Sequence, residues 1–200
     1  MPFRRAVALT GGIATGKSSV AAYLHARGFA LIDADSVAHT ILDREVSQIA
    51  TLFGEALLRE GRVDRKALGA IVFGDLVKRK ALESLLHPLI YEEILQQSRL
   101  LASQHPLYFI DIPLFFEGGR YAIDRSIVVY ATSQQQLTRL MQRDSLTQAQ
   151  ARQRIEAQMD IEQKRQRATW VIDNTGTRQA LQAKCDKILQ QLQTSVGAIA

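Results

Sequence analysis

The 200-residue chain is 46% apolar and 22% charged, a balance that excludes intrinsic disorder and provides enough apolar residues for one packed core. Its 25 basic and 20 acidic residues leave a net charge of +5, which favours phosphate-bearing partners, nucleotides and nucleic acids alike. The single cysteine, Cys185, excludes an intrachain disulfide, and no stretch reaches the ~20 apolar residues of a membrane span.

The opening run AVALT (6–10) is short, apolar and β-compatible, and glycines separate it from KSSVAAYLHAR (17–27), whose apolar residues recur at helical spacing. Gly28 ends that helix and FALID (29–33) reads as a second buried strand, so the chain begins as a βαβ unit. The apolar start stops at Thr10-Gly11, too short for a secretory signal, and with a lone cysteine predicted to be buried this points to a cytoplasmic protein.

From 35 to 104 helical patterns break at Gly54, Gly61, Gly74 and His87-Pro88, and no convincing strand is present. This stretch reads as a helical insertion, with Asp64 capping RKALGAIVF and Pro88 opening a further helix. Strand-like runs return at LYFID (107–111), SIVVYA (126–131) and TWVID (169–173). The fold class is therefore α/β: a five-stranded parallel sheet flanked by helices. An Arg- and Gln-rich helical pair is predicted at 134–143 and 147–158, with Thr147 as an N-cap, and a last helix at 177–193, beyond which TSVGAIA frays. The basic excess gathers from Arg139 to Arg167; by charge pattern alone it describes a solvated helix face.

GGIATGKS (11–18) fits G-x-x-x-x-G-K-[ST] in full, between a predicted strand and a predicted helix. Gly11 and Gly16 let the backbone turn its N–H groups inward, and the helix N-terminus adds partial positive charge for anionic phosphates. Gly11, Gly12, Ile13, Ala14, Thr15, Gly16, Lys17 and Ser18 thus form a candidate ATP-phosphate cradle. Within it Lys17 can reach the β- and γ-phosphates and the Ser18 hydroxyl can ligand Mg²⁺. Asp33 ends the second strand, at the edge where parallel sheets place ligands; it is either a catalytic carboxylate or a helix cap, whereas Asp35 reads as a cap. Asp111 ends LYFID and either holds Mg²⁺, through water, or caps the following turn. Arg139 and Arg143 lie one helical turn apart, able to clamp phosphoryl oxygens together.

Taken together, LTGGIATGKS (9–18), DAD (33–35), FG (53–54), GRVDRKALGAIVF (61–73), LESLLHPLI (82–90), DIPLFFE (111–117), QLTRLMQRD (136–144), ARQRIEAQM (151–159) and VIDNTG (171–176) resemble the dephospho-CoA kinase family across nearly the whole chain. The family usually has glycine and serine where this loop has Ala14 and Thr15, and aspartate where this chain has Thr169. The resemblance implies a nucleoside monophosphate kinase-like fold. Residues 1–34, 105–133 and 168–200 would form the P-loop core, 35–104 the acceptor-binding insertion and 134–167 the lid.

It further implies ATP as co-substrate with Mg²⁺, and dephospho-CoA as acceptor, phosphorylated at its ribose 3′-hydroxyl. Asp33 would meet that hydroxyl and Arg143 would act from the lid, with Arg139 and Arg154 as further lid candidates. His87, Leu114, Phe116 and Glu117 would line the acceptor site, His87 being equally readable as a core histidine. Oligomeric state is left open by the sequence. A different nucleotide kinase would share the loop and lid. A nucleotide-controlled switch or nucleic-acid binder is disfavoured, because the chain has neither an N-K-x-D motif nor interleaved aromatic and basic residues.

Overall fold

Five apolar runs pair into one sheet in the computed structural model, which describes residues 3–197. The strands are β1 (Ala6–Gly11), β2 (Leu31–Asp33), β5 (Tyr108–Asp111), β6 (Ser126–Tyr130) and β7 (Trp170–Asp173), in the order β2-β5-β1-β6-β7. β1 is central and parallel to both neighbours: Leu9 faces Asp111 on one side and Ile127 on the other. β6 and β7 are also parallel, with Val129 opposite Ile172. This register brings the C-terminal ends of β1, β5, β6 and β7 to one edge, where the loops after them meet.

Strands buried on both faces are apolar at most positions, and β1, β5 and β6 are buried throughout, with Thr10, Asp111 and Ser126 as buried polar exceptions. Alternation then divides their side chains between two layers. Val7, Leu9, Phe109, Ile127, Val129 and Ile172 face α1 (Lys17–Ala26) and α10 (Arg178–Gly197), whose Leu181, Cys185, Ile188 and Leu192 recur along one stripe. Val128 and Tyr130 face Ile161 of α9 (Ile161–Arg167) on the other side. Burial in this core pushes the Cys185 thiol up to about 11.

α6 (Phe115–Gly118) is one short turn after β5. Between β6 and β7 come α7 (Ser133–Asp144), capped by a reciprocal Thr132 and Gln135 box, and α8 (Gln148–Glu156), capped in the same way by Thr147 and Gln150. Leu137 and Leu140 of α7 pack with Ala151 of α8, and Ile13 and Ala14 of the glycine-rich loop lie against this cluster. The sequence pattern foresaw neither α9 nor the extension of the last helix past Gln193 to Gly197; of the expected fraying tail, 198–200 lie outside the described residues.

Two units divide the chain, one of residues 3–32 and 98–197 and one of residues 33–97. The second contains α2 (Ala34–Arg44), α3 (Val46–Phe53), α4 (Arg65–Phe73) and most of α5 (Leu76–Gln104), around Ile41, Ile49, Leu57, Leu68, Leu86 and Ile94. Ion pairs Arg65–Asp43 (2.7 Å) and Arg44–Glu93 (3.2 Å) tie its helices together.

Two expectations for this stretch are corrected. It contains a small antiparallel hairpin, β3 (Leu58–Arg59) and β4 (Arg62–Val63), whose two-residue turn, Glu60-Gly61, has positive φ at both positions as a type I′ turn requires. At two residues per strand the hairpin is too short to leave a periodicity. Nor does His87-Pro88 interrupt a helix: α5 runs through it for 29 residues. Proline removes one N–H bond to the preceding turn, but buried Leu86 on one side and Ile94 and Leu95 on the other hold the helix in place.

Candidate active site

The loop between β1 and α1 is shaped by close backbone approach. A Cβ on Gly11 would lie 2.8 Å from both Thr15 Oγ1 and the Val129 carbonyl. Gly16, the N-cap of α1, has φ 93°, and a side chain there would also collide with the Asn174 amide. Thr15 is fully buried; its hydroxyl donates to the Gly12 carbonyl at 2.8 Å, and Asn174 Nδ2 donates to the Thr15 carbonyl at 2.8 Å. Ala14 has φ 59°, the left-handed region that costs a residue with a Cβ about 1–2 kcal/mol. Replacing Gly16 with alanine is expected to lower both Tm and nucleotide affinity, read by thermal unfolding with and without ADP.

The first turn of α1 leaves the Lys17 and Ser18 N–H groups without intrahelical acceptors and directs the helix's positive end at this loop. The Lys17 ammonium contacts the Asp111 carboxylate at the end of β5, the two side chains being 20% and 7% exposed. The register of β1 on β5 is what brings them together. A cleft of about 700 Å³ between α1 and α10 opens beside Ser18, bordered by Ser19, Tyr23, Asn174, Arg178 and Gln182.

Arg139 and Arg143 share a face of α7 but hold different partners. Arg139 Nη2 donates to the Asn174 carbonyl at 2.9 Å, while its Nη1 is buried without a hydrogen-bond partner among the described residues. Arg143 grips Asp144 with Nε (2.7 Å) and Nη2 (3.1 Å), and Arg154 reaches the same carboxylate at 3.0 Å. The hydrogen bond from Arg143 holds the Asp144 carboxyl below the usual carboxylate range, helped by the charges of both arginines.

Asp33 caps α2: its Oδ1 accepts from the Asp35 and Ser36 N–H groups at 2.9 and 3.0 Å, leaving Oδ2 outside the cap. Asp35, expected as a cap, instead sits inside the first turn. His87 lies in α5, within residues 33–97. Leu114 is 47% exposed, whereas Phe116 packs beside Val128 and Tyr130, with the Arg167 guanidinium 5.0 Å above its ring. Glu117 accepts from the Met159 N–H at 3.0 Å and pairs with Lys164 at 2.7 Å. Thr169 forms its own contact, accepting from the Ser126 N–H at 3.0 Å.

Four groups around the loop escaped sequence reasoning. Gln158 Oε1 accepts from the Ile13 N–H at 2.8 Å, Gln136 is buried beside Gly12, Asn174 braces Thr15, and Lys164 donates to the Gly11 carbonyl at 3.0 Å. Lys164 is fully buried, so the solvated-face reading of the basic run fails at that position. Only Asn174 had a local signal, following a strand as part of NTG.

A glycine-rich loop entering a helix at the C-terminal edge of a parallel sheet, with its lysine against a strand-end aspartate, defines a P-loop nucleotide-binding fold. Residues 5–180 match the family model described as dephospho-CoA kinase, and a dephospho-CoA kinase of Sulfurimonas denitrificans is 45% identical over 192 residues, 96% of either chain. The chain belongs to the dephospho-CoA kinase family, whose members are ATP-dependent kinases. Among solved structures, TT1252 from Thermus thermophilus aligns with a TM-score of 0.83 at 36% identity, covering 94% of this chain and 97% of that one. A dephospho-CoA kinase from Campylobacter jejuni aligns at 0.70 with 35% identity and the same coverage.

Proposed function

We propose that this protein transfers the γ-phosphoryl group of ATP to the ribose 3′-hydroxyl of dephospho-CoA, giving CoA and ADP. The observation that carries the reading is the phosphate loop with Lys17 set against Asp111, in a chain of this family. ATP fits the residues present. Unpaired N–H groups at the start of α1 meet its phosphates, and the orphaned Arg139 Nη1 is a donor for the nucleotide.

Mg²⁺ also fits. The Ser18 hydroxyl and Asp111 carboxylate are hard oxygen donors, and this ion takes most of its ligands from water and substrate phosphates rather than from a protein cage. When bound it neutralises charge on the β- and γ-phosphates.

For a loose transition state the protein's contribution is alignment and fixed charge. Lys17 supplies positive charge at the phosphates; Arg143, with Arg139 and Arg154, supplies it from residues 134–167, which we assign as the lid. Residues 35–104 form the acceptor-binding part and 1–34, 105–133 and 168–200 the core. Asp33 orients the acceptor hydroxyl and finally takes its proton, through the oxygen outside the α2 cap. His87, Leu114, Phe116 and Glu117 line the acceptor side. No helix among the described residues is long and apolar enough to cross a membrane, in keeping with a cytoplasmic site of action.

The test is ADP release from Mg·ATP with dephospho-CoA, AMP, CMP, dTMP or adenosine as acceptor. Turnover is expected with dephospho-CoA alone, with little ATPase activity in its absence because closure of the lid excludes water. Turnover with a monophosphate instead overturns the acceptor assignment.

A further inference from the structure

Lys164 is the one fully buried ammonium among the described lysines, and the mechanism above makes no use of it. Its three N–H donors meet three acceptors: the Glu117 carboxylate at 2.7 Å, the Gly11 carbonyl at 3.0 Å and the Pro113 carbonyl at 3.4 Å. Gly11 opens the phosphate loop, whereas Pro113 and Glu117 belong to the segment that follows Asp111. Glu117 also accepts from the Met159 N–H, and one residue earlier Gln158 binds the Ile13 N–H. A single ammonium therefore joins three segments that converge on the phosphate site.

Stability alone does not call for a charge at this place. A buried ion pair is often replaceable by apolar side chains without loss, because desolvation offsets its Coulombic gain. What an apolar side chain cannot do is orient the Gly11 carbonyl. The peptide unit is planar and trans, so holding that oxygen fixes the opposed N–H of Gly12, the next group along the loop.

We propose that Lys164 is a positioning residue for phosphoryl transfer: from beneath the loop it sets the Gly11–Gly12 peptide and, through Glu117 and Pro113, the segment after Asp111, so that loop and strand end keep one geometry. The proposal rests on the kinase reading for its rate effects. It touches no reacting atom, and its signature is a loss in kcat rather than in acceptor binding.

Lys164→Met and Glu117→Gln are compared with the wild-type chain in ADP-release kinetics, thermal unfolding and ADP titration followed at the Gly12 backbone amide by NMR. For Lys164→Met, kcat per folded molecule is expected to fall about 100-fold with KM for dephospho-CoA within about threefold, since misplacement by an ångström costs that much in rate. The Gly12 amide response to ADP shrinks in parallel. Glu117→Gln keeps an acceptor but loses the charge, and its Gly12 amide response to ADP, which involves no acceptor substrate, is expected to shrink as well.

Retention of wild-type kcat per folded molecule with a normal Gly12 response overturns the proposal. If Lys164→Met does not fold, Glu117→Gln decides through the Gly12 response to ADP: a wild-type response there overturns the proposal equally. Should the wild-type chain bind ADP but leave dephospho-CoA unphosphorylated, the acceptor reading fails by itself, and the Gly12 response still judges Lys164.

Discussion

Lys17→Ala is expected to lower kcat by at least about 1,000-fold, the scale on which removal of a preorganised charge from a transition state acts. Lys17 begins α1 and its ammonium lies against Asp111, so it is already held where the phosphates enter, at little cost in reorganisation. Removing it also leaves the largely buried Asp111 carboxylate without that ammonium, and some loss of Tm accompanies the loss of rate. The two are separable because ADP binding still stabilises the folded state in proportion to remaining affinity. Lys17→Arg does not rescue the rate: a planar fork does not reproduce a compact point charge in a loop this closely packed. A Lys17→Ala enzyme within tenfold of wild type sinks the proposed role.

The second large effect concerns Asp33, whose carboxylate caps a helix and is proposed to meet the acceptor as well. Its Oδ1 caps α2, and the proposed chemistry falls to the remaining oxygen. Asp33→Asn keeps a capping oxygen and removes the base, so kcat falls about 100-fold or more with Tm nearly unchanged. Asp33→Ala removes both. It adds a cap loss of about 1 kcal/mol, which for a chain of this size is a drop of about 2–4 °C in Tm. Measuring rate and melting on both variants separates the roles; an Asp33→Asn enzyme at wild-type kcat reduces Asp33 to a cap.

What the sequence made legible was whatever is written locally. The three inner strands β1, β5 and β6 announce themselves because burial on both faces demands largely apolar runs such as YFID and SIVVY, and the partly exposed β2 and β7 are still short apolar runs. The Asp64, Thr132 and Thr147 caps satisfy helix ends within three residues, and of these Asp64 and Thr147 were anticipated. The phosphate loop is equally local, a turn read from Gly11 and Gly16.

Strand order was not legible, because parallel pairing is decided by packing across long separations. Pro88 misled for the opposite reason: its local preference is real, but tertiary packing overrides one missing hydrogen bond. Lys164 could not be told from Arg165 or Arg167, since burial of a charge depends on partners more than 45 residues away, as Pro113 and Glu117 are. Asp33 was readable only as an alternative, and the structure gives it the cap without removing the other role.

The supports of the phosphate loop have a bearing on how the protein comes into being. Ile13, Thr15 and Gly11 are held by Gln158, Asn174 and Lys164, at sequence separations of 145, 159 and 153 residues. A ribosome delivers the loop well before its braces, at roughly 5–20 residues per second. A nascent chain that ends before Gln158 exposes the full nucleotide signature with none of these braces around it. The loop geometry described above therefore waits on segments synthesised long after the loop itself.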